Sequence, residues 1–365
     1  MNWENLHKLI NRYEENIYTL NDSTNDEKFK WHAVQQFQNA WFAPSAETIP
    51  FAELFHNALK GSSVLVNNGT IHPANGVVKL AEKAPEEVER LFREVLFADD
   101  DDDLEIRQEH MEEFLEGMEA LLQQYYPASW KYRQDRHAAS CYLAMYAPEK
   151  NYIYKYSSVE AFAVYTEFGK DIGSGSAFKL AHYYELGDTV VAALKEHPEL
   201  LKKHADLLDD TYYRDESLHL LAFDVIYCAD TYGFFKDLKH RAKKDAIKAY
   251  TAEQLRKAEA AERQAAIDAI EQQIIQLENQ IDVYRSIFLV GTQVHHKSWG
   301  TGIVTQQNIN MVRVRFGEIE KQFIISTKFP MRPTFEDDAE IVAAMTDYEA
   351  KMKELESLKK KLALI

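Results

Sequence analysis

The sequence has few cysteines and no long apolar run. Its 365 residues include only Cys141 and Cys228, which lie far apart and form no CxxC pair. We therefore expect neither a disulfide framework nor a zinc ribbon, and a reducing cytoplasm is the default location. No apolar stretch is long enough to cross a bilayer, and the N-terminal MNWENLHKLINRYEEN is too polar for a signal peptide.

Familiar catalytic and nucleotide-binding motifs are also missing. There is no GxxxxGK[ST] phosphate loop, no GxSxG or HExxH motif and no Rossmann glycine signature, and no nuclease-like Asp…Glu-x-Lys block stands out. Glu216-x-x-His219 has the spacing of one ligand pair in a di-iron bundle, but such a site also needs further carboxylates, and we expect an ordinary surface or core histidine here. We therefore assign no catalytic residue, no metal ligand and no cofactor from the sequence.

Positive charge is scarce and unevenly placed. The formal net charge is −17, whereas a chain that bound nucleic acid over its whole surface would be basic. Two segments are exceptions, because residues 236–249 and 289–333 each hold six Lys or Arg against two acidic residues, a net charge of +4 each. Any contact with a polyanion is therefore expected to involve these two segments.

Residues 1–235 are rich in helix patterns separated by turns, and we expect them to form a helical domain. In DEKFKWHAVQQFQNAW, apolar residues from Phe29 to Trp41 recur at spacings of four and predict one apolar helix face. The segments IPFAELFHNALKGS and APEEVERLFREVLF repeat this arrangement, each with a proline near its start. The run DDDDD at 99–103 precedes another helix pattern, and we interpret it as a helix cap rather than a metal site.

From residue 236 the sequence predicts a long helix, an inserted module and a second helix. Apolar residues recur at spacings of three and four in 236–288 and again in 334–365. The seam residues are Ile267, Ile270, Ile274, Leu277, Ile281, Tyr284, Ile341, Met345, Tyr348, Met352, Leu355 and Leu362. Because each apolar stripe needs a partner, we expect 334–365 to pair with 250–288 as an antiparallel coiled-coil arm. A homodimer formed through the same stripes is the alternative.

The inserted segment, 289–333, differs from its helical flanks. Alternation at Val312, Val314 and Phe316 predicts one strand, and KQFIIS predicts another. Glycines within LVGTQVHHKSWGTGIVTQQNINMVRVRF mark turns or bulges. Short strands in so short a segment predict a small β-barrel at the tip of the arm. The predicted fold class is therefore mainly α, with this barrel inserted in a coiled-coil arm.

Glycine, β-branched and aromatic residues follow one another through the module in a distinctive order. They are Gly291, Val294, His296, Lys297, Trp299, Gly300, Gly302, Val304, Val312, Val314 and Phe316. This pattern resembles the SH3- or Tudor-like domain at the C-terminus of bacterial superfamily-1 repair helicases, which usually have Phe in place of Trp299, and related barrels that interact with RNA polymerase. The resemblance implies a barrel that binds protein, RNA or DNA.

Five residues of the module are the expected contacts with a partner. They are His296, Lys297, Trp299, Arg313 and Arg315. In a second interpretation, Trp299 fills the small core of the barrel while Arg313 and Arg315 form the outward half of an alternating strand. The two interpretations are compatible, because outward arginines stay available to a partner.

Three blocks in the helical domain carry a second resemblance: KFKWHAVQQFQNAW, PEEVERLFREVLF and RQDRHAASCYLAMYAPEKNYIYKYS. The matching residues are Lys30, Trp31, Ala33, Val34, Phe37, Gln38, Pro85, Glu86, Val88, Gln134, Asp135, Arg136, Ser140, Tyr142, Leu143, Tyr146, Pro148, Tyr152, Tyr154 and Lys155. Over residues 25–235 they resemble the N-terminal region of bacterial AAA-type restriction proteins related to the methylcytosine-specific McrB enzymes. The resemblance implies a targeting or sensing part, without the ATPase because the phosphate loop is missing.

The third block is dense in aromatic and polar side chains. Its tyrosines could offer stacking faces, and its polar residues could bind a base or a phosphate. The residues of this candidate pocket are Gln134, Arg136, Tyr142, Tyr146, Tyr152, Tyr154 and Lys155. Tyrosines that pack in the core with their hydroxyls at the rim are the alternative. Cys141 and His137, one helical turn apart, could form a nucleophile–base pair, although this spacing is common in helices.

Two functions are compatible with these patterns. The first is a non-catalytic adaptor or sensor, a targeting component of a bacterial restriction or anti-phage defence system, whose arm presents the barrel to a partner. The expected partner is a protein (an ATPase, nuclease, helicase or RNA polymerase), a nucleic acid bound through 236–249 and 289–333, or both, with no membrane contact. The alternative is a metal-dependent nucleic-acid-processing enzyme with its site in residues 100–235.

Overall fold

The computed structural model describes residues 1–67, 70–100, 102–285, 289–308, 311–324, 331–333 and 339–365. Within them the chain forms two units, Met1–Ala252 and Glu253–Ile365. Helices dominate, and the second unit contains a small antiparallel sheet, which confirms the predicted mainly α class with a C-terminal β module. Among the helices described, none has both the length and the apolar character that a membrane span requires.

The first unit consists of helices joined by turns. The helices are α1 (Trp3–Leu20), α2 (Phe29–Trp41), α3 (Phe51–Ala58), α4 (Pro73–Ala81), α5 (Pro85–Arg90), α6 (Leu104–Tyr125), α7 (Arg136–Tyr146), α8 (Tyr156–Tyr165), α9 (Leu180–Leu194), α10 (Pro198–Leu207) and α11 (His219–Thr231). Short 3₁₀ turns lie at Ser63–Leu65, Trp130–Tyr132 and Gly175–Ala177, and α5 continues as a π-helical turn through Leu91–Leu96. Helices α2, α3 and α5 confirm three predicted helices.

Local chemistry explains where several of these helices begin. The Asp103 carboxylate accepts hydrogen bonds from the backbone N–H groups of Glu105 and Ile106 at 2.8 and 3.3 Å. The aspartate run therefore caps α6, as predicted. Asp135 caps α7 through the N–H group of Ala138 in the same way. Prolines stand in the first turn of α4, α5 and α10, where no intrahelical hydrogen bond is lost.

The core of the first unit is one continuous hydrophobic cluster that is rich in aromatic side chains. The ring centroids of Phe55, Phe114 and Tyr142 lie 5.1, 4.9 and 5.3 Å from that of Phe92. Helix α11 packs against α1, α8 and α9, and α2 packs against α3 and α7, so elements distant in sequence enclose the cluster. Full burial of one large apolar side chain contributes roughly 1.5–3 kcal/mol.

The second unit contains most of the long helix α12 (Lys243–Arg285), the sheet and a C-terminal helix. Its elements are β1 (Gln293–His296), β2 (Gly300–Asn308), β3 (Met311–Phe316), β4 (Ile319–Ile324), β5 (Met331–Pro333) and α13 (Ala339–Leu364). Residues 236–252, which the sequence pattern groups with the long helix, belong to the first unit. Lys328, one of the predicted basic residues, lies outside the described residues.

The five strands form one sheet in the order β4-β3-β2-β1-β5, with every pair antiparallel. Consecutive strands are neighbours from β1 to β4, and β5 returns to pair with β1. The predicted alternation on β3 is confirmed, because Val312, Val314 and Phe316 are buried and the residues between them are exposed. The register between β2 and β3 shifts between Val304 and Gln306, a bulge that the sequence pattern did not locate.

Three glycines serve the sheet in two different ways. Gly291 and Gly300 have φ angles of +93° and +69°, the left-handed region that glycine adopts without strain. Gly302 lies within β2 against Phe316, and a Cβ atom there would be 2.6 Å from a ring carbon. The first two glycines therefore allow sharp changes of direction, and the third allows close packing of a ring on the strand.

Side chains of α12 and α13 share a small hydrophobic cluster. Its buried members are Ile270, Ile274, Leu277, Ile281 and Leu355, with Met352, Leu358, Leu362 and Ile365 packed against them. Most of these are predicted seam residues. The side chains of Tyr284, Ile341, Met345 and Tyr348, also predicted for the seam, lie outside the described residues.

Polar contacts show the direction in which these two helices meet. An Arg263 guanidinium nitrogen donates to the carbonyl of Ile365. Further along α12, the Glu278 carboxylate pairs with Lys359 at 2.6 Å. A later position on α12 thus contacts an earlier position on α13, so the two segments run in opposite directions where they touch.

Candidate functional site

The outward face of the sheet carries two arginines on β3. Arg313 and Arg315 alternate with the buried residues of this strand and are exposed. The neighbouring strands place Gln306 and Gln322 on either side of Arg313. The interpretation that these arginines point outward is therefore confirmed, and a partner could reach them.

The two arginines differ in their electrostatic surroundings. Arg315 lies opposite Glu320 with their charged groups 3.9 Å apart, and Glu320 also accepts a hydrogen bond from the Thr305 hydroxyl at 2.7 Å. The Arg315 side chain is 63% exposed, so water screens this ion pair and its contribution is below about 1 kcal/mol. Arg313 has no acidic partner at ion-pair distance among the described residues. Its charge is therefore available to an anion.

The aromatic residues of the sheet form one cluster. Trp299 stacks on His296 with ring centroids 4.2 Å apart, and the rings of Phe316 and Phe323 lie 5.8 and 5.7 Å from Trp299. Trp299 is 41% exposed, so it covers the cluster without filling the core. The ammonium of Lys321 lies 5.4 Å from the Trp299 ring centroid. This side of the sheet therefore combines an accessible ring with a cation.

His296 is the one predicted contact residue of this set that is buried, at 5% exposure. Its Nδ1 accepts a hydrogen bond from the backbone N–H of Ser298 at 3.0 Å. Burial, with a smaller effect from His295, lowers the pKa of His296. His296 therefore packs against the Trp299 ring and is itself covered. Lys297, in contrast, is exposed like the two arginines.

In the other basic segment, 236–249, two cations already bind acidic residues of the first unit. Arg241 pairs with the buried Glu167 at 2.7 Å. Lys243 pairs with Glu160 and Asp171 at 2.9 and 2.7 Å. These contacts attach the start of α12 to the first unit, so the segment offers less available positive charge than its composition suggests.

The residues of the predicted aromatic pocket lie in different environments. Tyr142, Tyr152 and Tyr154 are buried in the core of the first unit. Tyr146 stacks on Phe97 with ring centroids 4.1 Å apart, at the edge of one cleft. Lys155 lines another cleft. The structure therefore distributes these side chains among the core and two surfaces, and three of the tyrosines occupy the core as in the alternative interpretation.

The remaining members of the predicted pocket have structural partners. The Tyr142 hydroxyl donates to the Gln134 side chain at 3.0 Å, and Gln134 in turn donates to the carbonyl of Pro73 at 2.9 Å. Arg136 forms an ion pair with Glu112 through two guanidinium nitrogens. These contacts hold α7 against α4 and α6. The side chains of Gln134 and Arg136 therefore have a structural role.

His137 and Cys141 are neighbours on α7, but their environment does not favour a nucleophile. The two His137 ring nitrogens face the carbonyls of Tyr154 and Leu65 at 2.8 and 3.0 Å. Cys141 is fully buried, and burial raises the pKa of its thiol well above the usual value. A nucleophilic cysteine requires access and a lowered pKa. The pair is therefore structural.

Glu216 and His219 lie in different surroundings. Glu216 is exposed, whereas the His219 ring lies 4.1 Å from the Tyr152 ring and its Nδ1 is 3.1 Å from the carbonyl of Pro148. Asp215 accepts hydrogen bonds from backbone N–H groups at the start of α11. Asp215 and His219 therefore hold the start of α11 in place.

One group of metal-ligand residue types converges in the part of the chain that the structure describes: Glu27, Asp224 and Cys228, all buried. The Nζ atom of Lys30 lies among them, bound to Glu27 and 2.6 Å from Asp224. Burial opposes the charge of Lys30, but Asp224 and Glu27 outweigh it and raise the pKa of this lysine. An ammonium thus occupies the position between the carboxylates that a metal ion would need.

The sequence did contain a signal for this buried lysine. The buried stripe of α2 includes Lys30, Val34, Phe37 and Trp41, at spacings of three and four, while Phe29 is only partly buried. The apolar face predicted from the sequence began at Phe29, so it did not include Lys30, the next residue. A lysine in register with an apolar stripe indicates a buried ion pair.

Comparisons of the chain with protein-family models, with curated proteins and with solved structures found no match. The two sequence resemblances therefore stay expectations, and a functional assignment depends on the geometry described above. That geometry offers an exposed basic face in the second unit and a lysine-lined cleft in the first.

Proposed function

We propose that the chain is a non-catalytic adaptor or sensor whose second unit presents a small SH3- or Tudor-like barrel to a nucleic-acid partner. The observation that carries the proposal is the outward pair Arg313 and Arg315 on an exposed sheet face. The chain as a whole has a net charge of −17, whereas this strand exposes two arginines. Contact with phosphates requires such local cations.

Strand order supports the barrel. In the order β4-β3-β2-β1-β5, four strands form a meander and the last strand returns to the first. The bulge between Val304 and Gln306 supplies the bend that a small curved sheet needs. One face of the sheet is a compact core of valines and phenylalanines, and the opposite face carries Arg313 and Arg315 together with exposed Ile303 and Ile324. These are the requirements of a small closed β-module.

The cluster between α12 and α13 supports the coiled-coil arm. Apolar residues at spacings of three and four on α12 meet those of α13, and the contacts run in opposite directions. An antiparallel helix pair of this kind leaves the segment between the two helices at one end. The strands are encoded in that segment, so the arm would hold the barrel by both of its ends.

The setting that we propose is a targeting component of a bacterial restriction or anti-phage defence system. This part of the proposal rests on the sequence resemblance of residues 25–235 alone. A protein partner, such as an ATPase, nuclease, helicase or RNA polymerase, is the alternative occupant of the exposed sheet face. The two kinds of partner differ in how strongly their binding depends on salt.

The test is binding of the full chain to short single-stranded and duplex DNA and RNA, measured by fluorescence anisotropy at several salt concentrations. We expect affinity to fall steeply between about 50 and 200 mM salt. The double variant Arg313→Glu/Arg315→Glu should abolish binding at moderate salt. Neutral variants, Arg313→Gln/Arg315→Gln, should reduce the slope of log K against log salt by about 2.

A charge-matched control separates a local contact from a general charge effect. Lys83→Glu/Lys195→Glu changes two exposed lysines of the first unit and alters net charge by the same amount. This control should bind like the unmodified chain. Equal losses in the two double glutamate variants would exclude a local nucleic-acid contact at Arg313 and Arg315. The absence of binding to any nucleic acid at low salt would leave a protein as the partner of the barrel.

A further inference from the structure

A cleft of about 390 Å³ lies in the first unit, between α2, α11 and the start of α8. Its walls are largely apolar and include Phe29, Val64 and Phe223. Polar and charged side chains lie on its lining as well, among them Asn67, Asp135, His137 and Ser157. A concave site of this volume that combines apolar walls with polar groups is typical of pockets that bind small organic molecules.

The ammonium groups of two lysines lie close to one aromatic ring in this cleft. The Nζ atoms of Lys30 and Lys155 lie 4.5 and 4.4 Å from the centroid of the Tyr227 ring. Lys30 is neutralised by the buried carboxylates of Glu27 and Asp224. For Lys155, no carboxylate in the described part of the chain lies at ion-pair distance. The Asp135 carboxylate also lines the cleft, where it accepts a hydrogen bond from the backbone N–H of Ala138 at 2.9 Å. Lys155 is therefore the lysine of the cleft that has no ion pair among the described residues.

The surroundings of Lys155 are unfavourable for a lone ammonium. Burial lowers its pKa, Asp230 raises it, and the charged Lys30 lowers it again, with a net lowering. The Asp230 carboxylate already accepts a hydrogen bond from the Ser158 hydroxyl at 2.9 Å. An anion that entered the cleft would supply the missing counter-charge and stabilise the protonated lysine.

A second cleft of the first unit contains cations that form ion pairs with aspartates. It lies beside the stacked rings of Phe97 and Tyr146 and contains Arg107. Arg107 binds Asp100 through two nitrogens, and Asp100 is one of the aspartates in front of α6. Lys150, also on its lining, pairs with Asp102 at 2.8 Å. The cations of that cleft have carboxylate partners at ion-pair distance, whereas Lys155 has none among the described residues.

We propose that the cleft at Lys155 binds a small organic anion, namely a carboxylate or phosphate monoester attached to an apolar, ring-sized body. The anionic group pairs with Lys155, and Asn67 and Ser157 are polar groups on the same lining. The apolar body packs on Phe29 and Phe223. The site lies in the first unit and does not depend on the nucleic-acid contact proposed for the second. It would make the chain a sensor of a small molecule.

The experiment is calorimetric titration of the full chain with four probes that separate charge from apolar body. Phenyl phosphate and benzoate carry both features, inorganic phosphate carries only the charge, and benzyl alcohol carries only the body. We expect at least one of the first two to bind about tenfold or more tightly than either single-feature probe. Comparison of phenyl phosphate with benzoate then shows which anionic group the cleft prefers.

Three variants test the role of the lysine. Lys155→Gln should weaken binding of the preferred probe by about tenfold or more, and Lys155→Arg should retain most of it because the charge is kept. Lys131→Gln is the matched control, because Lys131 also lies over a tyrosine ring, Tyr132, at 5.3 Å but outside the cleft. Thermal unfolding followed by circular dichroism establishes that each variant is folded.

Several results would overturn the inference. They are the absence of binding by both phenyl phosphate and benzoate, equal binding by inorganic phosphate or benzyl alcohol, and undiminished binding in a folded Lys155→Gln variant. Each of these outcomes is independent of whether the second unit binds nucleic acid.

Discussion

At the scale of single residues, the cluster around Lys30 connects two helices that are distant in sequence. Lys30 on α2 is bound between Glu27 and Asp224, the latter on α11. The Tyr13 hydroxyl donates to Asp224 at 2.6 Å, and the Tyr232 hydroxyl donates to Glu27. Buried charges are tolerated only when partners satisfy all of them, so this cluster also specifies how α2 and α11 pack.

Removal of the lysine should therefore be costly. Lys30→Met leaves two buried carboxylates without their counter-charge, and we expect the free energy of unfolding to fall by about 3–5 kcal/mol. Urea denaturation measures the loss. The control is Lys8→Met, which breaks the exposed pair of Lys8 with Glu4 and should change stability by less than about 1 kcal/mol. Similar losses in the two variants would mean that the buried cluster contributes no more than a surface ion pair.

His204 gives the first unit a defined sensitivity to acid. Its ring is buried beside Trp31, with ring centroids 4.7 Å apart. Burial, opposed in part by Asp224, lowers the pKa of His204 to about 4. In the unfolded chain the ordinary pKa of histidine is about 6.5. The stability that neutral His204 contributes is therefore complete above pH 6.5 and is lost as the pH falls towards 4.

A variant without the titrating group should not lose this part of its stability. Relative to the unmodified chain, His204→Phe should gain on the order of 3 kcal/mol in free energy of unfolding as the pH falls from about 7 to 4. Urea denaturation at a series of pH values measures the difference between the two proteins. A difference that stays constant across this range would show that His204 is protonated equally in the folded and unfolded chains.

At the scale of elements, adjacent residues on α12 have opposite roles. Ile274 is 9% exposed and belongs to the cluster with α13, whereas Ile275 is 48% exposed. Seam residues at spacings of three and four therefore point to the partner helix, and their neighbours point to water. In the sheet, buried and exposed residues alternate with a period of two, so Arg313 and Arg315 are exposed between buried neighbours.

The two isoleucines provide a matched test of helix pairing. Ile274→Asp places a charge in the cluster and should destabilise the contact of α13 with α12 by about 2–5 kcal/mol. Hydrogen–deuterium exchange of residues 351–365 should accelerate accordingly. Ile275→Asp introduces the same charge on the exposed side and should leave exchange unchanged. Equal acceleration in both variants would argue against the pairing.

Sedimentation distinguishes pairing within one chain from the dimer alternative. If α12 and α13 pair within one chain, the mass of the unmodified protein should not depend on concentration. A dimer that dissociates in Ile274→Asp but not in Ile275→Asp would instead assign the seam to contacts between chains.

At the scale of the whole molecule, each unit has a hydrophobic core of its own. The first unit contains one large aromatic-rich cluster. The second contains two small ones, within the sheet and between the helices. Clusters of such different size predict different stabilities, because the buried area per residue rises with the size of a domain. The units also differ in charge, since the basic sheet segment belongs to an otherwise acidic chain.

Separate cores should give separate unfolding transitions. We expect differential scanning calorimetry of the full chain to show two transitions, and a fragment of residues 1–252 to reproduce the larger one. Arg313→Glu/Arg315→Glu, as surface changes, should leave the larger transition unmoved. A single transition for the full chain, with an unfolded fragment, would show that the first unit depends on the second for its stability.

The sequence by itself determined the local structure of this protein. Helical spacings, the Asp103 cap and the alternation on β3 depend on neighbours a few residues apart, so they can be read before the fold is known. The apolar seams of α12 and α13 could also be predicted from the sequence, because a stripe of apolar residues is a property of a single helix.

Only the tertiary structure decided which side chains meet. Tyr142 and Lys155, neighbours in one sequence block, point respectively into the core and into a cleft. Lys155 meets Lys30 on the ring of Tyr227, and these three residues lie on segments far apart in the sequence. The physical reason is that propensity and periodicity act over a few residues, whereas a cleft or a buried ion cluster is formed by whichever helices the packing of the core brings together.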